Sequence, residues 1–552
     1  MAVVLGVNAV FHDPAAALVV DGVTVAAAEE ERFSRRKHGK DPVPFSTWEL
    51  PERSIKFCLS FAGISPEDID AVGYSYDPSL TPHTREDVVA HAWEGLRTLY
   101  AERAELFLRS ALPGLRQGVL RHVPHHVAHA ASAWGMAPFD SCAVMVLDGR
   151  GEDTSYLAGV ARDGRFCPLA TQALPHSLGL RYEELTGHLG FRPSSDEYKV
   201  MALASYGQPT SLADFRRWIH TDGNGHFATE SIPWDSLLAR SELGDDVSDV
   251  AVDPEQANLA SSLQTRLQEV LLELAEWLHG RTGESRLALA GGVALNCVAN
   301  TYLHERGPFD AVWVQPAAGD AGTAAGAAIA VAAALGDRPA PMRTAALGPE
   351  WSDAEIEDAL CTARITYRRS PSIAGEVAEA LARDEIVAWF QGRSEFGPRA
   401  LGHRSLLAHP GHAANLDRLN AVKGRESFRP VAPMVLAEKA QQIFDGGPFP
   451  SPYMLFVHRV RESWVDRIPA VVHVDNTARI QTIGPDDEPL VHELLSEFER
   501  RTGLPVVVNT SLNTASRPMV NDPRDALECF GSAPIDLLAI GSFVVRRDSW
   551  LG

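Results

Sequence analysis

The sequence predicts an α/β protein in two parts: a first domain made of two related α/β halves, then a second α/β domain. Three observations carry this. A strand, loop and hairpin pattern opens the chain and is restated from Ala143 onward. Two later apolar runs break at glycine and continue with helical periodicity. The Pro/Ala-rich stretch LGDRPAPMRTAALGPEWSD then separates these from an arginine-rich segment of different character.

Taken in order, Val3 to Val7 reads as a buried strand and Ala15 to Val20 as a second. Asp21-Gly22 is the hairpin turn to a third at Val23 to Ala28. Helical periodicity follows over Pro51 to Ala62 and Thr84 to Leu112. Strands at Ala143 to Asp148 and Thr154 to Val160 repeat the opening, and this repeat resembles the start of the two halves of the actin/sugar-kinase fold, each half presenting a loop to a central cleft. LALAGGVALNCVAN, Leu287 to Asn300, is a buried strand broken at Gly291-Gly292 and followed by a helix, a geometry that brings backbone amides to a nucleotide. VWVQPAAGDAGTAAGAAIAVAAAL repeats it with Gly319-Asp320 at the junction.

At 552 residues, 45% hydrophobic and 22% charged, the chain is too long for one compact core, and the predicted domains are 1–345 and 346–552. Its six cysteines show no C-x-x-C spacing, which favours reduced thiols and a cytoplasmic location. The N-terminus lacks a signal-peptide pattern, and no apolar segment approaches the roughly 20 residues of a membrane span. A net charge of −22 argues against nucleic-acid or anionic-membrane partners, and suits either plain solubility or a cationic substrate.

In VPHHVAHAASAWGMAPFDSCAVMVLDGRGEDTS, Pro124 suits a first helical turn, so His125 and His129 stand at i and i+4, about 6 Å apart at Cβ. An H-x-x-x-H pair alone is more often a helix that happens to carry histidines. Here Asp148 after a strand and Asp320 in a Gly-Asp-Ala-Gly turn complete a two-histidine, two-aspartate set. That set suits one divalent metal, iron(II) first, with manganese(II) or zinc(II) as alternatives. His122 and His126 face elsewhere on such a helix and read as packing residues.

After the linker, a helix AGEVAEALARDE and a strand IVAWFQGR lead to SEFGPRALGHRSLLAHP and AVKGRESFRPVAPMVL. Arg393, Arg399, Arg404, Lys423, Arg425 and Arg429 crowd this stretch of an otherwise acidic protein and read as an anion pocket rather than a basic surface loop, because Phe396, Phe428 and the LLAHP run imply partial burial. LPVVVNTSLNTASRPMV ends a buried strand at Asn509-Thr510-Ser511, a turn whose hydroxyls and amides can finish a phosphate cradle.

The H-x-x-x-H helix and later G-D-x-G aspartate resemble the tRNA-threonylcarbamoyl-transfer proteins, in which they hold a metal against an adenylate; the matching positions are His125, His129 and Asp320. GVNAVFHDPAAALVVDG, EEERFSRRKHGK, DEYKVMALASYG and GGVALNCVAN together resemble the carbamoyltransferases of antibiotic and nodulation-factor biosynthesis, those acting on aminoglycosides above all, over essentially the whole chain. Tyr198 and Ala202 depart from the glycines of many relatives. The resemblance implies adenylate contacts at Gly149, Glu197, Lys199, Gly291, Gly292, Asn296 and Gly319. The second domain resembles a YrdC-like module, with Lys423, Arg425, Arg429 and Asn509-Thr510-Ser511 as the matching positions.

The implied reaction has two steps. Carbamoyl phosphate and ATP, with magnesium, form carbamoyl-AMP in the second domain, where Lys423 and Arg425 are the expected catalytic groups. The first domain then transfers the carbamoyl group to a hydroxyl of a small molecule, an aminoglycoside before a macrolide, ansamycin or cephem. His12, in FHDP after the first strand, reaches the metal's cleft either as the base for that hydroxyl or as a binding group, and Asp13 is the second candidate base. A sugar kinase or ATPase would share the cleft but leaves the metal set and the Arg-rich domain unexplained. A hydrogenase-maturation protein would add an acylphosphatase segment and zinc-finger cysteines, which this sequence lacks. Homodimer formation is left open.

Overall fold

The computed structural model describes residues 2–39, 49–81, 92–240, 252–514 and 517–550. Its contacts divide the chain into one unit of Met1–Glu242 with Asn258–Met342 and a second of Arg343–Gly552 with Leu243–Ala257.

The first unit holds two five-stranded sheets with one connectivity. In the first sheet β1 (Val3–Asn8), β2 (Ala15–Val20) and β3 (Val23–Glu29) form an antiparallel meander, and β4 (Ala71–Tyr74) and β5 (Leu120–His122) add in parallel, giving the order β3-β2-β1-β4-β5. In the second, β6 (Ser141–Leu147), β7 (Thr154–Arg162) and β8 (Arg165–Ala173) form the meander. A separate ribbon of β9 (Ile219–Thr221) and β10 (Phe227–Thr229) follows, and β11 (Arg286–Ala290) and β12 (Ala311–Val314) complete the order β8-β7-β6-β11-β12. This repeated path is the duplicated actin/sugar-kinase-like arrangement. Central strands are covered on both faces, so β1 and β6 read as unbroken apolar runs. Asp21 (φ 52°) and Gly22 (φ 76°) make the left-handed two-residue turn that the first hairpin requires.

The helix α1 (His125–Met136) follows β5 and α2 (Ala321–Ala334) follows β12, the same place in each half. Their contact is built from small residues. A Cβ on Gly326 would lie 1.8 Å from the Ala128 carbonyl oxygen, so only glycine allows this approach.

The helix expected over Thr84 to Leu112 is corrected. Its first residues lie outside the described ones, and the rest is two helices, Ala92–Glu102 and Ala104–Ala111, separated at Arg103. The second helix buries Ala104 and Leu108. All six cysteines are free thiols, with Cys58, Cys142, Cys297 and Cys529 buried. Among the described residues no helix is long and apolar enough to cross a membrane.

The second unit contains, in chain order, β13 (Arg368–Arg369), β14 (Val387–Phe390), β15 (Arg404–Ala408), β16 (Ala432–Leu436), β17 (Phe444–Asp445), β18 (His458–Val460), β19 (Thr477–Ala478), β20 (Gln481–Ile483), β21 (Val506–Ser511), β22 (Leu537–Ile540) and β23 (Phe543–Arg546). Eight of these form a mixed sheet in the order β13-β23-β22-β14-β15-β21-β16-β20, and β17, β18 and β19 form a small sheet of their own. Helices Ile373–Ala382 and Pro489–Thr502 bury Leu381, Leu494 and Phe498 in the same core as the fully buried Trp389 of β14. Asn509-Thr510-Ser511 is not a turn. Its residues end β21, paired with Leu407, Leu406 and Ser405, because the ladder with β15 continues through these three polar residues.

Candidate metal centre and anion pocket

The first unit brings His125, His129, Asp148 and Asp320 together, one ligand atom from each lying within 4.8 Å of the others. The i, i+4 spacing on α1 aims both imidazoles at one point, and their Nε2 atoms lie 3.2 Å apart. Asp148 Oδ2 is 3.2 Å from His125 Nε2 and 3.3 Å from His129 Nε2; Asp320 Oδ1 is 3.6 Å from both. Asp148 follows β6 and Asp320 immediately precedes α2, so the second half supplies both carboxylates and the first half, through α1, both imidazoles.

Each group is oriented from behind. Nδ1 of His125 lies 3.3 Å from the Ser75 carbonyl, which places that ring's proton there and leaves Nε2 as the ligating nitrogen. Glu152 accepts the His125 backbone N–H at 2.9 Å and that of Asp77 at 2.7 Å, a carboxylate at the amino end of α1. Two buried carboxylates beside two buried imidazoles need positive charge among them. Burial pushes His125 and His129 down, but the two aspartates outweigh it and hold both pKa values up. Burial pushes Asp148 and Asp320 up. Bonds from both histidines reverse this for Asp148; for Asp320, where Asp148 adds to the upward push, the pull of His125 and the bonds from both rings reverse it. A divalent cation fits this donor set, its chemistry and its convergence. His126 points away to Thr154 at 3.0 Å, and burial, reinforced by the neighbouring imidazoles, lowers it to about 3.

His12 stands beside this cluster, its backbone N–H donating to Asp320 Oδ2 at 3.0 Å. Its ring nitrogen Nδ1 lies 3.1 Å from Asp13 Oδ2. The loop carrying them is held by Asn8, whose side-chain amide donates to the carbonyls of His12 at 2.7 Å and Asp13 at 3.0 Å. Burial opposes ionisation of Asp13, but His12 and His38 outweigh it and keep the carboxyl well below the usual carboxylate range.

The residues expected to touch an adenylate divide. Gly292 donates its amide to Asp148 Oδ1 at 3.0 Å, and Gly291 (φ 93°) turns the chain against the Leu147 carbonyl. Gly149 accepts from Ser177 Oγ at 2.7 Å, and the Gly319 carbonyl accepts from the Gly322 amide. Lys199 pairs with Asp196 at 3.1 Å, and burial, with repulsion from Glu183, raises Glu197 to about 7. Asn296 is corrected. Its side chain caps the helix Cys297–Arg306 and exchanges two hydrogen bonds with Gln264 at 2.8 and 3.1 Å, so both ends of its amide are engaged within the fold.

In the second unit Lys423, at the end of the helix Ala414–Lys423, donates to the Ser511 carbonyl at 2.6 Å, to Ser511 Oγ at 2.8 Å and to Asn513 Oδ1. Arg425 donates to Asn420 Oδ1 at 2.6 Å, Arg429 lies 3.5 Å from Glu426, Arg399 is half-buried and Thr510 sits next to Ser511 in β21. Arg404 departs from the expected role. It is 0% exposed, stacks over Phe390 at 3.8 Å and donates to the carbonyls of Gln391, His403 and Pro349. Arg393 likewise braces the Leu347 and Gly348 carbonyls. Asn509 is buried, bonding the Ala400 carbonyl and Gln481 at 3.0 Å each. Sequence reasoning missed Glu395, whose Oε1 accepts the amides of Leu401, His403 and Arg404, and it missed Asn513, Glu152 and His38. The partners of Asn513, Glu152 and His38 are far away in sequence, and those of Glu395 lie in the loop just after it, where no motif spacing signals them.

The class follows from this geometry: a duplicated actin/sugar-kinase-like unit with a metal-type cluster drawn from both halves, joined to an α/β unit with a lysine-centred polar cluster. Residues 3–329 match the family described as Carbamoyltransferase N-terminus, and residues 378–547 the one described as Carbamoyltransferase C-terminus. The chain belongs to this carbamoyltransferase family and is an enzyme of that type. Nodulation protein NolNO of Sinorhizobium fredii is 37% identical, covering 98% of this chain and 80% of its own. Nodulation protein U of Rhizobium tropici is 33% identical, covering 94% of this chain and 92% of its own. Among solved structures, HypF of T. kodakarensis is 16% identical with a TM-score of 0.32, over 60% of this chain and 48% of that one.

Proposed function

We propose that the protein is an ATP-dependent O-carbamoyltransferase working in two steps, divided between domains 1–345 and 346–552. The convergence of His125, His129, Asp148 and Asp320, with the His12 amide on the same aspartate, carries this reading.

The second, YrdC-like domain takes carbamoyl phosphate and ATP–magnesium. Water cleaves carbamoyl phosphate to carbamate and phosphate; the carbamate oxygen then attacks the α-phosphorus of ATP, giving carbamoyl-AMP and pyrophosphate. Lys423, Arg425, Arg429 and Arg399 position and neutralise the phosphates, and Ser511 and Asn513 aim the lysine ammonium.

In the first domain a divalent metal on the two histidines and two aspartates, iron(II) by preference, supplies Lewis-acid polarisation. With its Nδ1 proton donated to Asp13, His12 has Nε2 as the nitrogen that takes the acceptor's hydroxyl proton. The hydroxyl oxygen bonds to the carbamoyl carbon, the bond from that carbon to the phosphate oxygen breaks, and AMP leaves. Asp13 thereby becomes the group that orients the base.

The acceptor is a small hydroxylated natural product. A net charge of −22, with the carboxylates of Asp13 and Glu197 near His12, favours a cationic aminoglycoside over a macrolide, ansamycin or cephem. Incubation with carbamoyl phosphate, ATP and a panel of hydroxylated antibiotics, read by mass spectrometry, tests this. A carbamoylated product with AMP and pyrophosphate is expected; release of ADP, as from a kinase or ATPase, overturns the reading.

A further inference from the structure

We propose that His38 is a positioning residue for carbamoyl transfer: by locking the carboxylate of Asp13 it sets the orientation and tautomer of the His12 ring. The inference rests on the reading of His12 as the base. His38 Nδ1 lies 2.9 Å from Asp13 Oδ1, while His12 Nδ1 lies 3.1 Å from Asp13 Oδ2. One carboxylate thus joins two imidazoles, whose rings are 4.4 Å apart. The far side of His38 is also fixed, Nε2 lying 2.8 Å from Ser195 Oγ.

With both imidazoles neutral, one hydrogen arrangement satisfies every link. Ser195 Oγ–H donates to His38 Nε2, His38 Nδ1–H donates to Asp13 Oδ1, and His12 Nδ1–H donates to Asp13 Oδ2. A carboxylate held only by His12 would still rotate about its Cβ–Cγ bond and offer either oxygen. The second bond removes that freedom, and the proton on His12 stays at Nδ1.

The backbone is strained where this chain of bonds is anchored. Phe11 (φ 66°), Asp13 (φ 46°) and His38 (φ 59°) all occupy the left-handed region, which side chains other than glycine adopt at a cost. Asn8 holds the Asp13 carbonyl, and Glu31 accepts the His38 backbone N–H at 2.7 Å. Both segments are therefore held in these conformations by specific bonds. His12, Asp13 and His38 also lie close enough for a cation to replace the hydrogen bonds, so the test counts metal as well.

Full-length protein labelled with ¹⁵N-histidine, with His12→Ala used to assign the His12 signals, reports the tautomer directly. The His12 proton should sit on Nδ1 in the parent protein and spread over both nitrogens in His38→Ala. Transfer from supplied carbamoyl-AMP should lose about 10- to 100-fold in kcat, the usual effect of removing an orienting partner, with acceptor KM and metal content unchanged. His38→Asn, which keeps a donor for Asp13, should recover most of this; His38→Gln, which reaches Ser195 instead, should not. On an Asp13→Asn background His38→Ala should add nothing. An unchanged His12 tautomer in His38→Ala, additive losses, or a second equivalent of metal that His38→Ala removes overturns the proposal. Full activity of His12→Ala, with the tautomer shift still seen in His38→Ala, would instead sink the base reading alone.

Discussion

The amide of Gly292 donates to Asp148 Oδ1 at 3.0 Å, while Oδ2 of the same carboxylate faces both imidazoles of α1. Asp320 is held in the same manner, by the amide of His12 at 3.0 Å on Oδ2 with Oδ1 turned to the imidazoles. Each carboxylate is thus gripped by a backbone N–H that follows a strand of the duplicated sheets, β11 in one case and β1 in the other. A backbone donor cannot rotate away as a side chain can, so the open faces of both carboxylates are pre-set toward one point.

The first prediction is metal content. The purified protein should carry about one divalent ion per chain, and His129→Ala about a tenth of that or less at matched free metal, since a lost ligand costs at least as much affinity as a lost orienting partner. Elemental analysis decides it; equal content in both proteins ends the metal reading.

Stability should depend on pH in opposite senses with and without metal. In the stripped protein His125 and His129 have pKa values raised above 6.5, so their contribution is full below 6.5 and is lost as pH rises through the raised values. Asp148 and Asp320 are lowered from 3.8, so theirs is present above 3.8 and lost as pH falls through the lowered values. Melting of chelator-treated protein, followed from about pH 5 to about pH 9, should therefore decline on the alkaline side. Reloaded protein should gain stability there, because the metal requires the imidazoles unprotonated. A stripped protein that gains stability above neutrality contradicts the account.

Lys423→Ala should abolish carbamoyl-AMP synthesis and leave transfer from supplied carbamoyl-AMP intact, because its partners Ser511 and Asn513 belong to the second unit. Arg429→Ala should behave alike. Equal failure with the supplied intermediate would show that the two steps are not divided in this way.

His12→Ala should form carbamoyl-AMP at the parent rate while transfer falls by roughly 10² or more, the usual size of a lost general base. If only the acceptor KM rises and kcat holds, His12 supplies uniform binding instead.

Gly326→Val should destabilise the first unit by about 1–3 kcal/mol or more, since its Cβ would start 1.8 Å from a backbone oxygen of α1 and only helix separation can relieve it. Thermal melting is the measurement, and a melting point unchanged from the parent protein counts against this helix contact.

What the sequence determined by itself is local or periodic. Apolar runs and the Asp21-Gly22 turn placed the first meander, its repetition announced the duplicated halves, and the H-x-x-x-H spacing aimed two imidazoles one way, because helix and strand periodicity fix which side chains share a face. The crowding of cationic residues between Arg393 and Arg429 was equally plain, but their tasks were not. Arg404 and Asn509 turned inward to bond carbonyls while Lys423 met Ser511 and Asn513, a sorting that depends on where β14, β15 and β21 lie in the sheet. Only the tertiary structure could bring Gly292 to Asp148, His12 to Asp320, or Asp13 and Ser195 to the two sides of His38. Those bonds join residues from 25 to 308 positions apart, and no local propensity encodes a hydrogen bond whose partner arrives through the packing of another strand.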